Sequence, residues 1–194
     1  MEVVSIKDKL AIFDLDGTLF DTRRVNYLAY RKALDQFGIR LDYDFFSAKC
    51  NGRHYKDFLP QIMDHVTDAG VEIEEVHKLK KEYYSCFLSE AVSNERLFDM
   101  IEALRATYYI ALVTTASRKN CDELLSYYGK DKEFDLLITA EDVQKKKPDP
   151  EGFLKAMRFY GVSEENTIVF EDSAVGIAAA EKCGATVFAA RGFA

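Results

Sequence analysis

The chain has no long apolar run, no paired cysteines and no surplus of basic residues. No stretch approaches the ~20 apolar residues of a membrane span. Met1–Lys9 is charged and too poor in apolar residues for a signal peptide, so a cytoplasmic location is expected. The four cysteines, Cys50, Cys86, Cys121 and Cys183, are far apart and form no Cys-x-x-Cys pair. That argues against a disulfide framework or a zinc site and favours reduced, partly buried thiols. The three histidines, His54, His65 and His77, have no metal-like spacing and read as surface or packing residues. With 26 Lys and Arg against 33 Asp and Glu, the formal net charge is −7. This balance argues against nucleic acid or a membrane surface as partner. An anionic small molecule stays open, because a local metal and lysine can outweigh the global field.

What is present is ordinary globular composition, 48% hydrophobic and 30% charged, without repeats or low-complexity segments. The length of 194 residues suits one domain, or one domain with an inserted subdomain. Leu10-Ala11-Ile12-Phe13 is an apolar run ending in Asp14-Leu15-Asp16-Gly17, which reads as a buried parallel strand with acids at its tip. A solvated Asp-Gly turn is the bland alternative.

Residues 21–92 then carry helical spacing only. Val25, Leu28, Ala29, Leu34 and Phe37 define a first helix that stops at Gly38. Asp42–Lys49 suggests a short helix, Asn51-Gly52 a loop, and His54–Val66 a helix that Pro60 starts or kinks and Gly70 ends. Ile73 to Leu88 has the pattern of one long amphipathic helix.

From Ser93, a candidate N-cap for a helix to Leu104, helices and strands alternate. Strands are expected at Tyr108–Thr114, Phe134–Thr139, Thr167–Phe170 and Thr186–Ala189. Helices are expected at Ser117–Tyr128, Pro150–Tyr160 and Ser173–Cys183. The alternation implies an α/β fold, a parallel sheet between helices in three layers. The core is then residues 1–20 and 93–194, interrupted by an all-helical cap of 21–92.

Polar residues follow three of these later strands: Thr114-Thr115, Lys145-Lys146-Lys147-Pro148-Asp149-Pro150, and Glu171-Asp172-Ser173. Alone, each has a plain structural reading: a β-branched strand end, a solvated lysine run, an acidic helix start. Pro148 disfavours helical backbone at Lys147 and so singles it out from Lys145 and Lys146.

Taken in order, the four stretches resemble the motifs of the haloacid dehalogenase superfamily. Asp14-Leu15-Asp16-Gly17-Thr18-Leu19-Phe20-Asp21-Thr22 is similar to the first. Thr114 is similar to the second, Lys147 before Pro148 to the third, and Glu171-Asp172-Ser173 with Gly176, Ala179, Ala180 and Gly184 to the fourth.

The resemblance implies a Rossmann-like core and phosphoryl transfer. Asp14 would be the nucleophile that becomes an aspartyl phosphate. Asp16 would be the general acid and base, its main-chain carbonyl also holding Mg²⁺. Thr114 would bind the phosphoryl group through its hydroxyl and Thr115 through its N–H, and Lys147 would offset the charge. Asp14, Asp16 and Asp172 would hold the ion, with Glu171 as a second acid ligand or the orienter of a bound water. An acid at Asp16 favours a phosphatase over a dehalogenase, whose halide leaving group needs no proton.

The cap resembles that of the phosphoglycolate phosphatase and β-phosphoglucomutase branch. Cys50-Asn51-Gly52-Arg53-His54 would then be its specificity loop, with Gly52 in a turn and Arg53 gripping an anionic part of the substrate. Arg53 as a solvated helix-start residue is the alternative. The chain stops soon after the last strand, where longer relatives carry a further strand and helix, and no catalytic position is lost by that.

The expected function is Mg²⁺-dependent hydrolysis of a small phosphorylated metabolite, by a monomer or homodimer. A sugar-phosphate mutase sharing all four motifs is the alternative, and a non-catalytic binding protein on the same fold a weaker one. A receiver-like signalling domain also pairs Asp, Thr and Lys with Mg²⁺, but needs no helical insertion of this size.

Overall fold

A computed structural model describes residues 7–63 and 71–193. His65, Gly70 and the end of the helix expected to reach Val66 lie outside the described residues. Two compact units emerge, Met1–Asp21 with Val92–Ala194, and Thr22–Ala91.

The first unit is built on five parallel strands, β1 (Lys9–Phe13), β4 (Tyr108–Val113), β5 (Leu136–Ile138), β6 (Thr167–Glu171) and β7 (Thr186–Ala189). Their order is β5-β4-β1-β6-β7. β1 is central because Leu10, Ala11, Ile12 and Phe13 are all fully buried, as a strand covered on both faces requires. Successive side chains alternate between the faces. Leu10 and Ile12 join Phe153, Ala156 and Met157 of α7 (Glu151–Tyr160) and Ala179 and Ala180 of α8 (Ala174–Lys182). On the opposite side α5 (Glu95–Leu104) packs on β4, and α6 (Arg118–Tyr127) buries Cys121, Leu124 and Leu125.

Register aligns the strand ends. Phe13 lies opposite Leu112 on one side and Phe170 on the other, and Val113 opposite Ile138. The residues after these positions therefore leave the sheet at one end. β1 is also where the chain order reverses, with β4 and β5 to one side and β6 and β7 to the other. In open α/β sheets, ligands bind in the crevice at that end.

Two short strands, β2 (Phe20–Asp21) and β3 (Val92–Ser93), form an antiparallel ribbon beside the tip of β1. The turn into β2 is tight: Gly17 has φ of +91° and its N–H donates to Phe20 O at 2.7 Å. Such φ is open to glycine at no steric cost. The helix after β3 is capped by Asn94, whose side chain accepts from Leu97 N, and not by Ser93 as expected, because Ser93 is spent in the ribbon.

The second unit holds α1 (Arg23–Asp35), α2 (Tyr43–Phe45), α3 (Tyr55–Met63) and α4 (Ile73–Tyr83). Tyr27, Tyr30, Leu34, Phe46, Phe58, Leu59 and Val76 form its core. Three local expectations change. α2 is only one turn and runs into a wider π-helical turn at Phe46–Cys50. α3 continues through Pro60, which supplies no N–H to the Lys56 carbonyl one turn earlier. The long helix ends at Tyr83 and tightens into a 3₁₀ stretch, Tyr84–Glu90, broken at Phe87 with φ −124°. Among the described residues, no helix is long and apolar enough to cross a membrane.

Candidate active site

Asp14 follows the last residue of β1 and is held there by its backbone, whose N–H donates to Phe170 O at 3.0 Å. Its side chain is 9% exposed and faces the ammonium of Lys147, Nζ to Oδ1 2.6 Å. That ammonium also donates to Glu171 Oε1 at 2.7 Å and to Val113 O at 3.0 Å. Three donors meet three acceptors, so the cation is fully satisfied while buried. Lys145 and Lys146 are exposed.

The loop that presents Lys147 is braced at both ends. Before it, Asp142 accepts from Thr139 N and Oγ1 at 2.8 and 2.9 Å and from Arg118 Nη2 at 2.9 Å. Further on, the Gln144 and Lys145 N–H groups donate to the Glu151 carboxylate at 2.9 and 2.8 Å. The Lys147–Pro148 peptide is cis.

Asp172 lies next to Gly17 and Thr18. Thr18 Oγ1 donates to Asp172 Oδ1 at 3.3 Å, and a Cβ on Gly17 would stand 2.2 Å from Asp172 Oδ2. Only glycine therefore lets the first loop lie against that carboxylate. Glu171 is buried, its Oε2 accepting from Ser173 N at 2.8 Å and Ser173 Oγ at 3.0 Å. Asp16 is half-buried in the same first loop and bridges to Phe20.

Asp14, Glu171 and Asp172 bring one carboxylate oxygen each within 4.8 Å of one another. Three acids against one ammonium leave surplus negative charge, with Asp14 and Glu171 buried and Asp172 exposed. Burial pushes the Asp14 carboxyl up to about 8 against the pull of Lys147, with Glu171 and Asp16 adding to the rise. Asp172 is also raised, by burial first and then by Glu171. Burial alone would lower Lys147, but Asp14 and Glu171 outweigh it and hold the amine above its usual value. Oxygen-only donors with an unbalanced negative charge fit a hard divalent cation.

Thr114 is buried at the end of β4. Its N–H donates to Ile138 O at 2.9 Å, and its Oγ1 accepts from Ala116 N at 3.0 Å, which fixes the hydroxyl at the start of the loop to α6. Thr115 is exposed beside it. Gly52 and Arg53 belong to the helical unit. Gly52 has φ of +74°, and the exposed Arg53 donates from Nη1 to Lys49 O at 3.0 Å and from Nη2 to Asp57 O at 3.5 Å.

The first unit thus gathers Asp14, Lys147, Glu171 and Asp172. It adds residues to which sequence reasoning gave no role: Thr18, Ser173, Gly176 and the Val113 carbonyl. Thr18, Ser173 and Gly176 stand inside the recognised motifs, and their offsets were the available signal. A main-chain carbonyl leaves none.

A family model described as haloacid dehalogenase-like hydrolase matches residues 11–190. The validoxylamine A 7'-phosphate phosphatase of Streptomyces hygroscopicus subsp. limoneus is 32% identical over 179 residues, 91% of this chain and 82% of that protein. A phosphorylated carbohydrates phosphatase of Thermotoga maritima is 30% identical, covering 89% of this chain and 80% of its own. Among solved structures, CbbY from Rhodobacter sphaeroides in complex with phosphate superposes with a TM-score of 0.81 at 26% identity, covering 95% of this chain and 87% of that one.

Proposed function

The chain belongs to the haloacid dehalogenase-like hydrolase family, and from that premise we propose a Mg²⁺-dependent phosphatase acting on a small phosphorylated metabolite, a sugar phosphate by class, through an aspartyl phosphate on Asp14. The observation that carries this reading is the Lys147 ammonium 2.6 Å from a buried Asp14 beside two further acids.

Asp14 Oδ attacks phosphorus as the bond to the leaving oxygen breaks, and Asp16 gives that oxygen its proton. Asp16 then takes a proton from water. The water oxygen attacks the phosphorus of the aspartyl phosphate, which frees inorganic phosphate and restores the Asp14 carboxylate. Lys147 pulls the Asp14 carboxyl toward its ionised form, against burial, and offsets charge as the two anions approach. Thr114, with the Thr115 N–H, orients the phosphoryl oxygens, a contribution of positioning. Asp14, the Asp16 carbonyl and Asp172 would hold the ion, with Glu171 beside them. When bound it would supply positive charge against the phosphate and the nucleophile.

Arg53 and the Gly52 turn are assigned to substrate choice, since the motif residues supply phosphoryl transfer and nothing that reads the leaving group.

Turnover of a panel of sugar phosphates with Mg²⁺, without a bisphosphate activator, tests the reading. Chelation should stop it and Mg²⁺ restore it, with Asp172→Ala weakening the ion more than Glu171→Ala. Full activity in EDTA, or activity only with a bisphosphate, would contradict it.

A further inference from the structure

Lys147 meets Asp14 from a fixed direction, and that direction has to be set by its other two partners. The Val113 carbonyl is part of β4 and cannot adjust. Glu171 is the side-chain anchor, with Oε1 2.7 Å from the ammonium.

Glu171 is itself held in one orientation. Ser173 gives both its N–H and its Oγ–H to Oε2, at 2.8 and 3.0 Å, which leaves Oε1 for the lysine. Behind the carboxylate stands Gly176, where a Cβ would lie 1.8 Å from Oε1 and 2.0 Å from the carboxyl carbon. Any other residue there would push the carboxylate out of its place. The Ser173 hydroxyl also accepts from Gly176 N at 3.1 Å, capping α8. One hydroxyl therefore serves as donor to Glu171 and acceptor for the helix, a combination that an aspartate cap cannot supply.

We propose that Ser173 and Gly176 are positioning residues of the transfer site. They fix the Glu171 carboxylate so that it holds the Lys147 ammonium on Asp14, and α8 is thereby built into the placement of the nucleophile. The proposal rests on the phosphatase reading for its kinetic consequences and on geometry alone for the rest.

Ser173→Asp separates the cap from the clamp. Aspartate caps a helix as well as serine, but it has no proton to give and would repel Glu171. Ser173→Thr keeps both functions.

Four variants, Ser173→Asp, Ser173→Thr, Gly176→Ala and Ser173→Asp in a Glu171→Gln background, are compared with the parent chain. Ser173→Asp and Gly176→Ala should lower kcat about tenfold or more with KM within about twofold, since nucleophile placement and not substrate binding is lost. Ser173→Thr should stay within about threefold of the parent. Ser173→Asp should add nothing in the Glu171→Gln background, because both act through one carboxylate.

A second readout needs no turnover: acetylation of Lys147 by acetic anhydride, followed by peptide mass spectrometry. It should be slow in the parent and Ser173→Thr and faster in Ser173→Asp and Gly176→Ala. Should Gly176→Ala fail to fold, Ser173→Asp carries the test. Ser173→Asp with parental kcat and parental protection of Lys147 would overturn the proposal, as would a full loss on top of Glu171→Gln. A parent chain inactive on every phosphate would defeat the phosphatase reading instead, and the acetylation comparison would still decide this one.

Discussion

At the scale of single residues the site is a problem of charge. Asp14, Glu171 and Asp172 crowd one ammonium, and the buried Asp14 is pushed up to about 8. A buried ion pair is weak evidence for stability, yet removing one partner typically costs ~3–5 kcal/mol. The cluster is therefore best understood as chemistry carried by the fold at some expense. Asp16, half-buried in the loop after β1, adds to the rise at Asp14, and the proposed acid–base role falls to it. Asp16→Asn should lower kcat by ~10²–10⁴ on alkyl phosphates, the range of a lost general acid and base. The loss should shrink on p-nitrophenyl phosphate, whose leaving group needs no proton in the first step. Equal losses on both, read from steady-state rates, would remove Asp16 from that role.

A second residue-scale prediction concerns Asp142. Its carboxyl is held below the usual value first by the Thr139 N–H, and also by the Thr139 hydroxyl and Arg118. A carboxyl depressed by folding adds stability that is present above its unfolded value and lost as pH falls through the folded one. Wild type should therefore melt higher than Asp142→Asn above pH about 4, near the ordinary value of 3.8, and the gap should close below it. A gap that persists at lower pH would mean that Asp142 acts by shape and not by charge.

At the scale of elements, what was legible depended on length and periodicity. The buried run at β1 and the alternation after Ser93 announced a parallel sheet because each apolar run is bounded by turn residues. Asp14 and Glu171-Asp172 were legible as acids ending apolar runs. Lys147, nine residues beyond the end of β5, stood out from its lysine run only by Pro148 and by the resemblance. β2 and β3 were not, since two-residue strands have no period to detect. Nor was the π-helical turn at Phe46–Cys50, whose i→i+5 bonding leaves no compositional mark. The partners of Lys147 come from segments as much as 133 positions away, and Val113 contributes only a carbonyl.

The loop at Gly52-Arg53 carries the prediction at this scale. Arg53→Ala should cut kcat/KM for the preferred sugar phosphate by one to two orders of magnitude, at about 1.4 kcal/mol per decade. It should barely alter hydrolysis of p-nitrophenyl phosphate. A matched loss on both substrates would place Arg53 in the fold or the chemistry, and no loss on either would leave it a surface arginine bonded to the Lys49 carbonyl.

For the whole molecule, an open α/β sheet brings its strand tips to one end, and the order reversal at β1 makes room there. The first unit brings three acids, an ammonium and the Thr114 hydroxyl to its strand ends. The central claim is that Asp14 carries the phosphoryl group. The direct measurement is rapid acid quench of enzyme with excess substrate and Mg²⁺, followed by peptide mass spectrometry. The account predicts a peptide containing Asp14 heavier by one phosphoryl group, with Mg²⁺ required and the adduct absent in Asp14→Asn. Rapid turnover with no adduct on Asp14 at any quench time, together with substantial activity in Asp14→Asn, would contradict it.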